Sequence, residues 1–281
     1  MAVVIGHPEV SHAVILAAGA GTRMRPWTEH MPKAMLPLGR RPVISFAIDE
    51  VRENMIWSLT VVTSPASDLG AAVLRQVVAD EWGDASFASQ FRQYPGTAMA
   101  VLSAFHPKCS VEPDEPFVVM LADDVLRHQH GSASVQLARM IHAYVTHPDP
   151  VEAVVCVARV DPDRAHRYGI VEVEDDSAGS PMVVERIEEK PRVPASDLAI
   201  VGRYVLGPGI RSRMLSAAEV HAPVPPTGVE LTWVLGEMVD SGATVLAVEL
   251  DHREVWYDTG NVEGYAHAFA VHARMEIEGE E

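Results

Sequence analysis

Residues 16–38 read LAAGAGTRMRPWTEHMPKAMLPL, and the fold turns on how this stretch is read. It begins inside an apolar run. Residues 12–18, HAVILAA, predict a first buried strand, after which Gly19 and Gly21 permit a tight turn. A strand that ends in a glycine-rich turn lets backbone N–H groups approach a phosphate, because no Cβ stands in the way. Arg23 and Lys33 follow at short range. The first is a planar fork for several phosphate oxygens, the second a compact point charge. G-x-G alone would suit an ordinary helix-opening turn equally well. A dinucleotide fingerprint would want a third glycine where Met24 stands, and an acidic residue near the end of the next strand, where Thr63 and Ser64 stand. The full string, with PKAMLPL attached, is far more specific than its glycines.

Outward from this stretch, apolar runs alternate with amphipathic ones. Strands are predicted at residues 59–63, 117–121, 153–160, 170–173, 199–206 and 244–249. Helices are predicted at residues 43–52, 97–105, 132–145, 229–240 and 262–275. The alternation predicts an α/β fold, a Rossmann-like three-layer αβα sandwich around a mixed sheet that is mostly parallel. No interior linker divides the chain, so residues 1–281 are expected to form one domain, with an acidic tail at residues 276–281 that frays.

Composition narrows the function. The net charge of −17 argues against nucleic acid or an anionic membrane surface as partner. A small polyanion can still bind where a few cations converge, and two of the three lysines, Lys33 and Lys190, fall within the motifs. No apolar run reaches the roughly 20 residues of a membrane span. Residues 1–10 lack the pattern of a secretory signal, and two cysteines make no disulfide framework. A cytoplasmic location is the expectation. The thirteen histidines show no H-E-x-x-H spacing, and no serine sits in a G-x-S-x-G elbow.

Three further places carry chemistry. Asp123, in LADD, follows the apolar run FVVML, and Asp258, in WYDTGN, has a similar setting. Carboxylates at strand ends beside a phosphate site suit Mg²⁺, although each taken singly is more often a turn or cap residue. The adjacent carboxylate, Asp124, ranks below Asp123. Glu189 and Lys190 begin EKP, which in isolation would be an exposed charge pair before a proline. Glu230, in GVELT, is either a ligand contact or a first-turn residue that complements a helix dipole.

With GAGTR, PKAMLP, LADD, YGIV, EKP, SDLAIVGRYVL and WYDTGN on one chain, the sequence resembles the sugar nucleotidylyltransferases, specifically bacterial UTP–glucose-1-phosphate uridylyltransferases, from about residue 14 to residue 269. The resemblance implies the nucleotide-diphospho-sugar transferase fold and synthesis of UDP-glucose and pyrophosphate from UTP and glucose-1-phosphate. It implies that Leu16, Ala17, Ala18, Gly19, Gly21, Gln93 and Gly96 meet the nucleotide, with Arg23 and Lys33 on its triphosphate. Asp123 and Asp258 would hold Mg²⁺, and Lys190 would hold the sugar phosphate. Glu189 would bind sugar hydroxyls, with Gly169, Gly202 and Glu230 as further sugar contacts. The assembly is expected to be a homo-oligomer. One departure is Gly96-Thr97-Ala98-Met99-Ala100, where uridylyltransferases carry GLGHA. That run, like WYDTG, leans towards thymidylyltransferases and dTTP. Two more readings stand beside these: an enzyme acting on a modified sugar or cyclitol phosphate, and a catalytically silent nucleotide-sensing subunit.

Overall fold

The computed structural model describes residues 9–65, 69–90, 95–128, 134–176, 179–220 and 228–278. Its elements in chain order begin with β1 (His12–Leu16), β2 (Pro37–Leu38), β3 (Arg41–Pro42), α1 (Val43–Glu53), β4 (Ser58–Thr63), α2 (Leu69–Trp82), β5 (Ser86–Ser89) and α3 (Thr97–Ser103). Then come β6 (Phe117–Leu121), β7 (Asp124–His128), α4 (Gln136–Thr146), β8 (Ala153–Arg159), α5 (Pro162–Ala165), β9 (Gly169–Val173), β10 (Met182–Glu189) and β11 (Leu198–Leu206). The chain closes with α6 (Ile210–Val220), α7 (Leu231–Asp240), β12 (Val245–Glu249), β13 (Glu254–Asp258) and α8 (Val262–Glu278).

Apart from His12, β1 is apolar because it is buried on both faces and paired on both edges, with β4 and β6 parallel to it. Its side chains alternate. Val14 and Leu16 join a core with Val101 of α3, Met214 of α6 and Leu235 of α7. Ala13 and Ile15 join another with Ile48 of α1, Leu74 of α2 and Met140 of α4. Helices therefore cover the sheet on both faces, as the alternation of runs predicts.

Nine strands form the main sheet in the order β5-β4-β1-β6-β11-β8-β12-β10-β9. The expectation of a mostly parallel sheet is corrected: the parallel pairings are β1–β4, β1–β6, β4–β5 and β8–β12, and the other five are antiparallel. The reason is connection length. β9 and β10 are sheet neighbours joined by an eight-residue segment, 174–181, too short for the crossover that parallel neighbours require, whereas β10 and β11 run the same way but do not pair with each other. β9 also meets β11 at Ala199↔Ile170, so β11, β8, β12, β10 and β9 curl into a closed ring.

A separate ribbon, β7 antiparallel to β13, stands beyond the end of β6 and pairs Asp124 with Asp258. The tail expected to fray from Glu276 is still helical to Glu278, because the Glu276 carboxylate accepts the Arg40 amide at 2.6 Å; residues 279–281 lie outside the described residues. Among those described, no helix is long and apolar enough to cross a membrane.

Candidate active site

The glycine-rich turn leaves β1 firmly tied. The Ala17 amide donates to the Val62 carbonyl at 2.8 Å, and the Leu16 carbonyl accepts the Ala122 amide at 3.2 Å. Leu16 and Ala17 are therefore buried, Ala18 is half-buried, and exposure begins at Gly19. Gly21 has φ +60°, and a Cβ there would stand 2.9 Å from Thr28 Cβ. Glycine is required on both counts. The Thr28 hydroxyl holds the turn by donating to the Gly21 carbonyl at 2.6 Å. A Cβ at Gly19 would lie 3.2 Å from Lys33 Cε, so the lysine stem runs across the turn's face. Arg23 sits on a single 3₁₀ turn, Thr22–Met24, anchored by fully buried Met24.

Asp123 lies in the two-residue link between β6 and β7. Its carbonyl accepts both the amide (2.9 Å) and the hydroxyl (2.7 Å) of Thr259, the residue after Asp258. By pairing Asp258 with Asp124, the ribbon register brings Asp258 beside Asp123, 135 positions earlier in the chain. Asp258 is itself oriented: Oδ2 accepts from Asn261 Nδ2 at 2.8 Å and from the Tyr168 hydroxyl at 3.3 Å, and Oδ1 accepts the Gly260 amide at 3.0 Å. The two carboxylates converge on the Cα of Gly260. A Cβ there would stand 2.5 Å from Asp123 Oδ2, 3.1 Å from Asp258 Oδ1 and 3.2 Å from Arg23 Nη2.

Charge is concentrated at this point. Burial pushes the Asp123 carboxyl up, but the Lys33 ammonium, which donates to Asp123 Oδ2, outweighs burial and holds it below the usual carboxylate range. Asp124 moves the other way, to about 7, through burial and the neighbouring Asp123 and Asp258 charges. Its oxygens face the protein, accepting Trp256 Nε1 at 2.7 Å and the Gly202 amide at 3.1 Å. Asp124 lines the cleft too, but both its oxygens are taken up by protein donors, which leaves Asp123 and Asp258 as the candidate metal pair. Two hard oxygen donors around a space that a methyl group would fill suit Mg²⁺, which takes one or two carboxylates and completes its shell with phosphate and water. No group of three or more His, Cys, Asp or Glu able to hold a metal occurs among the described residues.

The same cleft continues past Asp258 to Gly169, Glu189, Lys190 and Glu230. Glu189 Oε2 accepts the Thr232 hydroxyl at 2.6 Å, and Oε1 pairs with the Lys190 ammonium. Lys190 has φ +46°, a conformation that costs a non-glycine residue roughly 1–2 kcal/mol. Its amide donates to the Tyr168 carbonyl at 3.0 Å, and its side chain is 56% exposed. Gly169 is required by contact, since a Cβ would meet Thr232 Cγ2 at 2.7 Å.

Other sequence expectations resolve differently. Glu230 is the N-cap residue of α7 but makes no side-chain cap bond there. Its carboxylate instead crosses to α3, accepting the Thr97 hydroxyl (2.7 Å) and amide (3.2 Å), while the Thr97 hydroxyl accepts the Leu231 amide at 2.8 Å. Gly96, at φ +103°, packs on the Val229 backbone, where a Cβ would come within 2.3 Å of the carbonyl oxygen. It fastens this clasp. Gly202 is buried, with its amide given to Asp124 and its carbonyl accepting from Arg203 Nη1 at 3.0 Å, so its backbone groups serve the protein interior rather than an open cleft. Gln93 lies outside the described residues.

Sequence reasoning missed the hydroxyls and amides that orient the charged groups, namely Thr28, Thr97, Tyr168, Thr232, Thr259 and Asn261. Their signal was adjacency: Tyr168 precedes Gly169, and Thr259 and Asn261 flank Gly260 in WYDTGN.

The model of the family described as "Nucleotidyl transferase" matches residues 12–274. The chain belongs to that family. This nucleotidyl transferase is 28% identical over 272 residues to a UTP–glucose-1-phosphate uridylyltransferase of Pseudomonas aeruginosa, covering 90% of this chain and 92% of the relative. It is 30% identical over 279 residues to UTP–glucose-1-phosphate uridylyltransferase 2 of Streptococcus pyogenes serotype M1, covering 92% and 88%. Among solved structures, a UDP-glucose pyrophosphorylase complexed with UDP-glucose superposes with a TM-score of 0.76 at 26% identity, covering 94% of this nucleotidyl transferase and 99% of that chain.

Proposed function

We propose that this nucleotidyl transferase moves UMP from UTP to glucose-1-phosphate, forming UDP-glucose and releasing pyrophosphate. The observation that carries the reading is one cleft in which Arg23, Asp123 and Asp258 meet Gly169, Glu189 and Lys190. The fold is read as a Rossmann-like three-layer sandwich, with ligands held beyond the carboxyl ends of β1 and β6, where strand order reverses. In this reading the whole chain works as one domain.

The reaction needs two anions brought into line, an oxygen of the sugar phosphate attacking the α-phosphorus while pyrophosphate leaves. A phosphate monoester is already nucleophilic at neutral pH, so charge neutralisation and positioning do most of the work. The exposed Gly19–Gly21 turn receives the nucleotide. Arg23 and Lys33 steady the departing pyrophosphate, Lys33 being able to exchange Asp123 for a phosphate oxygen. Lys190 orients the sugar phosphate, and Glu189, steadied by Thr232, accepts from sugar hydroxyls. Asp123 and Asp258 would hold Mg²⁺, which when bound neutralises charge on the phosphates.

The GTAMA run favours dTTP as a second nucleotide to be tried. The experiment is a pyrophosphate-release screen of all nucleoside triphosphates against several sugar-1-phosphates. UTP with glucose-1-phosphate is expected among the best pairs, with UTP at least as good as dTTP. A preference for purine triphosphates would overturn the base assignment, and no turnover with any pair would favour a silent sensor.

A further inference from the structure

Arg203 is the largest side chain buried completely in the described core, and the mechanism above does not use it. It stands on β11 with all five N–H donors committed. Nε and Nη2 donate to Glu50 Oε2 of α1 at 3.0 and 2.8 Å. Nη2 also donates to the Asp124 carbonyl at 2.8 Å, and Nη1 to the carbonyls of Leu121 (3.2 Å) and Gly202 (3.0 Å). Leu121 and Asp124 are the residues on either side of Ala122–Asp123. One rigid guanidinium plane therefore grips both ends of the link that presents the Asp123 carboxylate.

Stability alone does not account for this arrangement. Burying two charges is repaid only when every remaining polar atom is satisfied, yet Glu50 Oε1 is buried with no hydrogen-bond partner among the described residues. We infer that Arg203, held in place by Glu50, is a positioning residue that sets where Asp123 meets the metal and the nucleotide phosphates. The inference rests on the reading of Asp123 as a metal ligand. Arg203 itself touches neither cleft nor ligand; it acts through the two carbonyls. Lysine would preserve the charge opposite Glu50 but could not span both carbonyls and the carboxylate from one plane.

The test uses the full chain with Mn²⁺ as the probe, titrated by electron paramagnetic resonance in the presence of UTP. Arg203→Lys is compared with wild type and with Asp123→Asn, alongside UTP binding in excess chelator and thermal unfolding. Residues that orient metal ligands commonly shift metal affinity 10–100-fold, so Arg203→Lys is expected to raise half-saturating Mn²⁺ by about tenfold or more, while metal-free UTP binding changes far less. Should Arg203→Lys fail to fold, Glu50→Gln carries the test. It keeps the fork and an acceptor opposite it, and is expected to shift Mn²⁺ binding in the same direction by a smaller factor. A variant that melts earlier with Mn²⁺ affinity unchanged overturns the positioning role and leaves Asp123 as a ligand if Asp123→Asn has lost Mn²⁺. Unchanged Mn²⁺ affinity in Asp123→Asn overturns the ligand reading itself, and the inference with it.

Discussion

Alanine at Gly260 would place one methyl group where the two cleft carboxylates converge. Its Cβ would stand 2.5 Å from Asp123 Oδ2 and 3.1 Å from Asp258 Oδ1. To reach an ordinary contact of 3.4 Å, Asp123 Oδ2 must retreat by about 0.9 Å and Asp258 Oδ1 by about 0.3 Å. Asp123 has little room to do so, because Thr259 holds its carbonyl twice and Lys33 holds its carboxylate. A misplacement near 1 Å commonly costs about 10²-fold in rate, so Gly260→Ala is expected to lower kcat by about that factor and to raise the Mg²⁺ requirement. Gly260 is not among the glycines with positive φ, so alanine adds no backbone strain. Overpacking of this kind costs roughly 1–3 kcal/mol, partly offset by about 0.4–1 kcal/mol from a stiffer unfolded chain. Pyrophosphate release against Mg²⁺ concentration, read beside urea unfolding, separates the two effects. Wild-type turnover with an unchanged Mg²⁺ profile would refute the convergence of Asp123 and Asp258 on a metal.

The two lysines should separate by substrate. Lys33→Ala is expected to weaken UTP binding directly, and Lys190→Ala to weaken glucose-1-phosphate use while sparing UTP; contacts of this type are worth about 1.5–3 kcal/mol, roughly ten- to over a hundredfold, within reach of calorimetry. The reverse pattern would exchange their roles. Thr97→Ala strips partners from both Glu230 and the Leu231 amide, and a loss of about 1–3 kcal/mol is expected in denaturant unfolding, largely restored by Thr97→Ser. Burial lowers the His12 pKa from 6.5 to about 4, while its ring nitrogen meets the Thr60 hydroxyl at 2.9 Å. The unfolded chain therefore takes up this proton first. The associated stability is full above about pH 6.5 and falls as the pH drops to about 4, by roughly 3 kcal/mol at 1.36 kcal/mol per unit. Unfolding curves of wild type and His12→Gln across that range should converge as the pH falls; parallel curves would contradict it.

The parallel half of the sheet was legible because β1, β4 and β6 are apolar runs with helices between them. The separate ribbon was less so: DVLRH in β7 and EVWYD in β13 are short and broken by charge, so the pairing of Asp124 with Asp258 left no periodic signal. The charged residues of the cleft could be singled out from motifs, but not what orients them. Tyr168 and Asp258, or Thr97 and Glu230, are long-range pairs that only the fold brings together. Arg203 is an instructive omission. An arginine inside LAIVGRYVL, a strand buried at every position, is a charge with no place to go unless a carboxylate awaits it. Glu50, on the apolar face of α1 one turn from Phe46, was the corresponding signal.

Transfer of label tests the central claim most directly. The chain is incubated with glucose-1-phosphate, Mg²⁺ and UTP radiolabelled at the α-phosphorus, and the products are separated. The expected result is label in UDP-glucose, an equal molar yield of unlabelled pyrophosphate, and neither product in excess chelator. Label remaining in UTP, or released as UMP without sugar nucleotide, would contradict the account.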